Sequence, residues 1–141
     1  MSSVLDSSVA VKCVIPEKDT PKAVRLREEF RRGIRERIAP DIFAGEVVNA
    51  IAKCQHNGII TPAIGAKRIA SVFRCMPQLH PDLPMLPAAY AIASRYRIAV
   101  FDCLYVVLAQ REGCDLITAD RRLVNALQKD FPFITDLSTR P

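Results

Sequence analysis

Two aspartates of this sequence come directly after short apolar segments. Asp6 follows residues 3–5, and Asp120 follows residues 116–119. Each apolar segment predicts a strand, and each aspartate is followed by a helical pattern. In parallel α/β sheets, ligands gather beyond the carboxyl ends of the strands. We therefore expect both carboxylates at one edge of a sheet.

Two further acids belong to apolar helical segments. Glu46 lies inside residues 42–51, and Asn49 and Lys53 follow it at helical spacing, so a narrow polar stripe marks an otherwise apolar helix. Asp102 precedes residues 103–109, which are apolar on every side and predict a buried helix. A carboxylate at the mouth of such a helix is partly desolvated, so it favours a nearby cation.

Each of these acids also has an ordinary explanation when it is taken alone. Asp6, Asp102 and Asp120 precede helical segments, where aspartate is a favoured cap, and Glu46 would suit the wet face of a surface helix. Taken together, four carboxylates at one sheet edge would repel one another unless cations were bound. Ligands that are all oxygen atoms favour Mg²⁺ or Mn²⁺. Such a site suits metal-assisted hydrolysis of a phosphodiester, in which the ions activate water and stabilise charge in the transition state.

Other catalytic machinery is missing from the sequence. No P-loop or G-x-G-x-x-G motif opens a helix, and Ser7, Ser8 and Cys114 have no histidine close to them in sequence. Tyr105 lies in a wholly apolar helical segment, which predicts a core position. The five cysteines form no C-x-x-C pair, so we expect reduced, buried thiols and no structural zinc.

Composition limits the classes of protein and partner. The chain has 141 residues, half of them hydrophobic, and a formal net charge of +5, which favours an anionic partner. No apolar run is long enough to span a membrane, and the first residues lack the pattern of a signal peptide. We expect one soluble, cytoplasmic domain that makes no contact with a membrane.

Strand and helix patterns alternate along the chain. Strands are predicted at residues 3–5, 37–39, near Leu79, 116–119 and 133–135, the last at a sheet edge. Helices are predicted at residues 9–15, 21–35, 41–58, 62–76, 88–96, 102–111 and 121–129. This order predicts an α/β fold, with a parallel sheet of four to five short strands flanked by helices on both faces.

Four short segments carry a resemblance to a known family. They are VLDSSV around Asp6, EVVN around Glu46, VFDCLYVVLA around Asp102 and LITADRRL around Asp120. In this order and approximate spacing, the chain resembles the PIN-domain nucleases over essentially its whole length, in particular the VapC-type toxins of toxin–antitoxin pairs. The resemblance implies a single PIN-like domain over residues 1–141.

The resemblance also implies an activity, a site and partners. It implies a metal-dependent endoribonuclease that uses Mg²⁺ or Mn²⁺ to cleave single-stranded regions of RNA. It carries over the four acids as metal ligands, with three residues that hold those ligands in place: Ser8, Asn49 and Thr118. It further implies a homodimer and a cognate antitoxin protein that covers a hydrophobic groove and blocks the site.

Some features leave alternatives open. Phe101 and Cys103 replace a frequent tyrosine and a frequent alanine of the family. No further acid follows Asp120 closely, so the number of metal ions stays open. A structure-specific DNA nuclease and a non-catalytic RNA-binding module are the alternatives to an endoribonuclease. A phosphoacceptor signalling domain fits poorly, because Asp6 has no adjacent acid.

Basic residues near the four acids are candidates for contacts with RNA phosphates. Lys53 follows Glu46 on the same predicted helix, and Arg121 and Arg122 follow Asp120 directly. Ordinary solvated charges explain each of them equally well.

Overall fold

Five short strands lie at the centre of the computed structural model, which describes all residues from Met1 to Pro141. They are β1 (Ser2–Leu5), β2 (Glu36–Pro40), β3 (Gln78–His80), β4 (Asp115–Thr118) and β5 (Ile134–Asp136). The strands form one sheet in the order β3-β2-β1-β4-β5, and every neighbouring pair is parallel. The predicted parallel α/β sheet, with the last strand at an edge, is confirmed.

Seven helices connect the strands and cover both faces of the sheet. They are α1 (Ser7–Val14), α2 (Thr20–Arg31), α3 (Phe43–His56), α4 (Pro62–Phe73), α5 (Leu86–Tyr96), α6 (Val100–Glu112) and α7 (Arg121–Leu127). Two 3₁₀ turns, Leu83–Met85 and Leu137–Thr139, complete the chain. Helices α1 to α4 pack against one another, whereas α6 lies against β1, β2 and β4 with α5 beside it.

Several predicted helix boundaries were wrong by a few residues. Helix α2 ends at Arg31 and α4 at Phe73, both earlier than predicted. Helix α6 starts at Val100, two residues before Asp102. The boundary at Asp102 matters most, because it places this carboxylate inside the first helical turn and not at a cap.

The core lies around β1, β4 and α6. Val4, Leu116 and Ile117 are fully buried in the two strands, as expected for parallel strands with helices on both faces. All seven residues from Cys103 to Ala109 in α6 are buried. The prediction that this helix is buried, because residues 103–109 are apolar on every side, is therefore confirmed.

The order of the strands reverses between β1 and β4. From β1 the chain moves outward to β2 and then β3, and it returns to the other side of β1 for β4 and β5. A crevice forms beyond the carboxyl ends of the strands at such a point. Asp6 directly follows β1 there, and Asp120 follows β4 by two residues.

The left-handed backbone conformation ends two neighbouring helices. Gly113 ends α6 with φ of 62°, and Arg97 ends α5 with φ of 56° and ψ of 47°. Arg97 is the only residue other than glycine with a positive φ in the protein. A side chain in this conformation costs about 1 kcal/mol relative to glycine.

The cysteines are all free, as expected, but only Cys103 is buried. The other four are partly exposed, so the prediction of burial was wrong for them. Burial raises the pKa of the Cys103 thiol to about 12 and that of Cys13 to about 11, so both stay protonated at neutral pH. None of the helices combines the length and the apolar character that crossing a membrane would require.

Candidate active site

All four predicted acids line one cleft of about 440 Å³ beyond the carboxyl ends of β1 and β4. The remaining lining comes from α1, α3 and the turn after α1: Ser7, Ser8, Val11, Lys12, Glu17, Asn49, Ala50 and Lys53. No histidine or cysteine lines this cleft. The structure thus brings the four acids together, although 114 positions of the chain separate the first from the last.

Asp6 is held by two hydroxyl groups. Its carboxylate is buried, and its Oδ2 accepts hydrogen bonds from Ser8 Oγ at 2.7 Å and from Thr118 Oγ1 at 2.6 Å. Although Asp6 stands at the N-cap of α1, its side chain makes no capping hydrogen bond. Burial raises the pKa of Asp6, and the two hydroxyl groups partly offset this effect. Helix capping therefore does not account for Asp6.

Thr118 also links Asp6 to Asp120. Its Oγ1 accepts a hydrogen bond from the backbone N–H of Asp120 at 3.0 Å while it donates to Asp6. Ser8 Oγ similarly accepts from the backbone N–H of Ala119 at 3.0 Å. Two of the three residues expected to hold the acids in place therefore contact them or their backbone. The third, Asn49, lines the cleft but makes no hydrogen bond to an acid.

Asp120 is a helix cap as well as part of the cleft. Its Oδ1 accepts hydrogen bonds from the backbone N–H groups of Arg122 at 3.0 Å and Leu123 at 3.4 Å. The capping explanation is thus correct for this residue. It leaves Oδ2 without a hydrogen bond, so a cap and a metal ligand are compatible here.

Glu46 is positioned by Tyr105, which the sequence predicted to be only a core residue. Tyr105 is fully buried in α6, and its hydroxyl group donates to Glu46 Oε1 at 2.5 Å. Ser7 Oγ donates to the same oxygen at 3.3 Å. Burial raises the pKa of Glu46, and the hydrogen bond from Tyr105 lowers it. A tyrosine inside a wholly apolar helix was the available signal, because a buried hydroxyl group needs a partner.

Asp102 is the acid most affected by its neighbours. It is the third residue of α6 and makes no capping hydrogen bond. Burial, followed by the negative charges of Asp6, Asp120 and Glu46, raises its pKa from 3.8 to about 6, against a weaker opposing effect of Arg122. The four carboxylates therefore repel one another, as expected from the sequence.

Repulsion of this kind is relieved by a cation, and oxygen-only side chains suit a hard ion such as Mg²⁺ or Mn²⁺. The side chains do not form a finished metal site, because no three acids, histidines or cysteines stand in an arrangement that would hold an ion. The type of the donor atoms nevertheless suits a hard metal ion.

The basic residues near the acids have different surroundings. Lys53 lines the cleft, and so does Lys12, which pairs with Glu17. Arg121 instead pairs with the buried carboxylate of Asp136 at 3.6 Å and does not line the cleft. Arg122 makes no ion pair and lines a neighbouring cleft together with Asp102 and Asp120.

The chain is similar in sequence to known ribonucleases. It is 27% identical over 125 residues to Ribonuclease VapC3 of Pyrobaculum aerophilum, covering 87% of this chain and 92% of the relative. It is 30% identical over 123 residues to Ribonuclease VapC3 of Mycobacterium tuberculosis, covering 87% and 85% of the two chains.

The fold is also similar to those of two solved structures. PAE2754 from Pyrobaculum aerophilum superposes with a TM-score of 0.70 at 20% identity, covering 99% of this chain and 94% of the other. VapBC2 from Rickettsia felis, bound to a DNA fragment from the promoter, superposes with a TM-score of 0.65 at 13% identity, covering 96% and 98%. These two likenesses concern the fold alone.

The family model of the PIN domain matches residues 3–127. This match begins within β1 and ends with α7, so it contains strands β1 to β4 and all four acids of the cleft. Together with the relatives, it identifies the fold that the sequence motifs implied. The chain belongs to the PIN-domain family.

Proposed function

We propose that this protein is a metal-dependent endoribonuclease and the toxin of a type II toxin–antitoxin pair. The observation that carries the proposal is the cleft itself. Four carboxylates from different parts of the chain line it at the point where the strand order reverses, and no nitrogen or sulfur ligand lies among them. Hydrolysis of a phosphodiester by bound hard cations is the chemistry that such a set of groups suits.

Asp6, Glu46, Asp102 and Asp120 would hold Mg²⁺ or Mn²⁺. When bound, such an ion supplies an activated water and stabilises the negative charge that develops on the phosphate. The rest of the site keeps the carboxylates in place. Thr118 and Ser8 orient Asp6, whereas Tyr105 and Ser7 orient Glu46. Asn49 lines the cleft and would meet the bound substrate directly.

RNA is the proposed substrate because both relatives carry the name ribonuclease. The net charge of +5 suits a polyanion, and Lys53 is available at the cleft. A DNA nuclease would use the same carboxylates, since discrimination depends on contacts with the 2′-hydroxyl group.

An antitoxin is the proposed protein partner, since the Rickettsia felis neighbour is a VapBC complex. We also propose a homodimer. Large apolar side chains on and beside α5 and α6, namely Leu83, Tyr90 and Phe101, are more than half exposed and would be covered by a second copy. Light scattering of the purified protein tests this, and a monomer at all concentrations would contradict it.

Substitution of the acids tests the proposed activity. Asp6→Asn, Glu46→Gln, Asp102→Asn and Asp120→Asn should each reduce RNA cleavage about a hundredfold or more, because each removes one charged ligand. Sequencing of cellular RNA ends after brief expression of the wild type and Asp102→Asn detects cleavage in any cellular RNA. Purified protein with Mn²⁺ or with a chelator then tests the requirement for metal.

Asp41→Asn is the matched control, because Asp41 is an exposed carboxylate that follows β2 at the same sheet edge but lies outside the cleft. It should cleave like the wild type. Full activity in two of the four acid variants would contradict the proposed site. Activity that persists in chelator would contradict the metal requirement, and cleavage of single-stranded DNA but not RNA would favour the DNA nuclease.

A further inference from the structure

A second cleft, of about 390 Å³, adjoins the first one and shares Asp102 and Asp120 with it. Its other lining residues come from the turn between α5 and α6 and from α7: Arg97, Ile98, Ala99, Arg122, Leu123 and Ala126. The first cleft is instead lined by α1 and α3. Asp102 and Asp120 therefore line two neighbouring clefts, which are otherwise formed by different elements.

The two arginines of this second cleft form no salt bridge. Arg97 and Arg122 are exposed, and neither lies within 4.0 Å of a carboxylate oxygen. Arg121, the immediate neighbour of Arg122, does pair with an acid. Two guanidinium groups without a salt bridge thus lie beside the carboxylates that would hold the metal, and they could bind an anion. Guanidinium groups bind phosphate oxygens through bidentate hydrogen bonds.

The backbone of Arg97 supports a role beyond folding. Arg97 ends α5 in the left-handed conformation that Gly113 adopts at the end of α6. Glycine would adopt this conformation without steric cost, and the exposed arginine side chain adds little packing in return. Strained residues of this kind cluster at binding sites, where the surrounding structure tolerates them.

We propose that Arg97 and Arg122 bind a backbone phosphate of the RNA strand beside the scissile bond. This inference rests on the proposed function. The RNA strand would pass over Asp102 and Asp120. The nucleotides on one side of the scissile bond would lie in the cleft that contains Lys53, and those on the other side would lie against the two arginines. An RNA strand is the favoured occupant because the cleft is continuous with the carboxylates that act on its phosphodiester.

Binding of RNA by variants of Arg97 tests this inference. Arg97→Gly keeps the left-handed backbone and removes the guanidinium group, and Arg97→Asn is a second neutral residue that tolerates the conformation. Fluorescence anisotropy with a mixed-sequence single-stranded RNA oligonucleotide would measure affinity at several salt concentrations. A Glu46→Gln background should suppress cleavage during the measurement, and it leaves the second cleft unchanged, since Glu46 does not line it.

Arg97→Gly should weaken RNA binding about threefold to tenfold and reduce the steepness of its salt dependence by up to about 0.7, which is the value for one phosphate of a single strand. Arg122→Ala should act similarly, and Arg97→Lys should lose less, because it keeps the charge. The melting temperature of Arg97→Gly should equal or exceed that of the parent by ~3 °C, since strain is relieved. Weaker binding by a more stable protein cannot come from a damaged fold.

Arg25→Ala is the control, because Arg25 is an exposed arginine of α2 that lines neither cleft. The inference is overturned if Arg97→Gly and Arg97→Asn bind RNA with the same affinity and salt dependence as Arg25→Ala. If the wild type cleaves no cellular RNA and the parent does not bind the oligonucleotide, the proposed function fails and the inference fails with it. If the wild type cleaves RNA and the Arg97 variants bind it as tightly as the parent, only the inference about phosphate binding in the second cleft is refuted.

Discussion

Asp102 shows how position within a helix changes the character of a single carboxylate. It is the third residue of α6 and is partly buried, so the helix dipole favours its charge by at most about 2 kcal/mol. Burial and three neighbouring carboxylates oppose that charge, and its pKa of about 6 shows that the opposing effects are larger. Ionised Asp102 therefore destabilises the folded protein when no cation is bound.

The free energy of unfolding of Asp102→Asn without metal should reveal this destabilisation. The pKa of Asp102 is 3.8 when unperturbed and about 6 in the folded protein, so protonation of Asp102 favours the folded state. This contribution to the free energy of unfolding is complete below pH 4 and is lost as the pH rises through 6. At pH 7 the variant should be more stable than the wild type by about 1 kcal/mol, a value reduced for solvent screening, or about 3 °C in melting temperature. Thermal melts in chelator at pH 5 and pH 7 measure the difference, which should shrink at pH 5.

Added Mn²⁺ distinguishes a metal ligand from a merely repelled acid. The ion should raise the melting temperature of the wild type, because it binds the folded state, and raise that of Asp102→Asn much less. Asp41→Asn should respond like the wild type. Equal stabilisation of the wild type and Asp102→Asn would mean that Asp102 does not hold the ion.

Sequence reasoning reached the four acids but not their surroundings. Asp6 and Asp120 could be placed because strand ends are visible in the local pattern. The hydrogen bond between Tyr105 and Glu46 could not, because it joins residues 59 positions apart on different helices. Arg121 and Arg122 were equivalent candidates in the sequence. One residue along a helix is a rotation of about 100°, so one side chain meets Asp136 and the other faces the second cleft.

At the scale of elements, α6 links two parts of the site. Asp102 and Tyr105 lie three residues apart on its face toward the cleft, and Tyr105 holds Glu46 of α3. Because α6 is packed on all sides, neither side chain can move far without disturbing the core. The helix thus fixes the distance between a carboxylate of its own and one of α3.

Tyr105→Phe should separate this positioning role from the structural one. The ring keeps its place in the core, so we expect a loss of about 1 kcal/mol in the free energy of unfolding from the missing hydrogen bond. RNA cleavage should fall by roughly tenfold, because Glu46 loses the group that orients it, and more Mn²⁺ should be required for half-maximal rate. Kinetic assays across Mn²⁺ concentrations, with thermal melts in parallel, measure both effects.

Tyr90→Phe is the matched control, because it makes the same substitution at an exposed tyrosine of α5. It should behave like the wild type in both assays. Unchanged cleavage and unchanged Mn²⁺ dependence in Tyr105→Phe would show that Glu46 needs no help from α6.

At the scale of the whole molecule, the sheet joins distant parts of the chain. β1 pairs with β2 on one side and with β4 on the other, so the first strand depends on one that begins at Asp115. Near the other terminus, Leu137 is fully buried, Lys22 donates to the carbonyl oxygen of Ser138, and Arg140 lies 3.9 Å from Glu29. The final residues therefore pack onto α2.

A chain that stops at Gly113 should fail to fold. It lacks β4 and β5, so β1 would be an exposed edge and the apolar residues of α6 would lose one of the strands they cover. Circular dichroism should show no cooperative thermal transition for this fragment. A sharp transition near that of the full chain would contradict the dependence of β1 on β4.

The placement of β4 has a consequence for synthesis on the ribosome. Thr118 and Asp6, which share a hydrogen bond, are 112 residues apart, and Asp120 emerges later still. At translation rates of roughly 5–20 residues per second, several seconds pass between the synthesis of Asp6 and that of Asp120, and during this time the set of carboxylates is incomplete. We therefore expect no RNA cleavage from a nascent chain until β4 and Asp120 have left the ribosome and the four proposed ligands can meet.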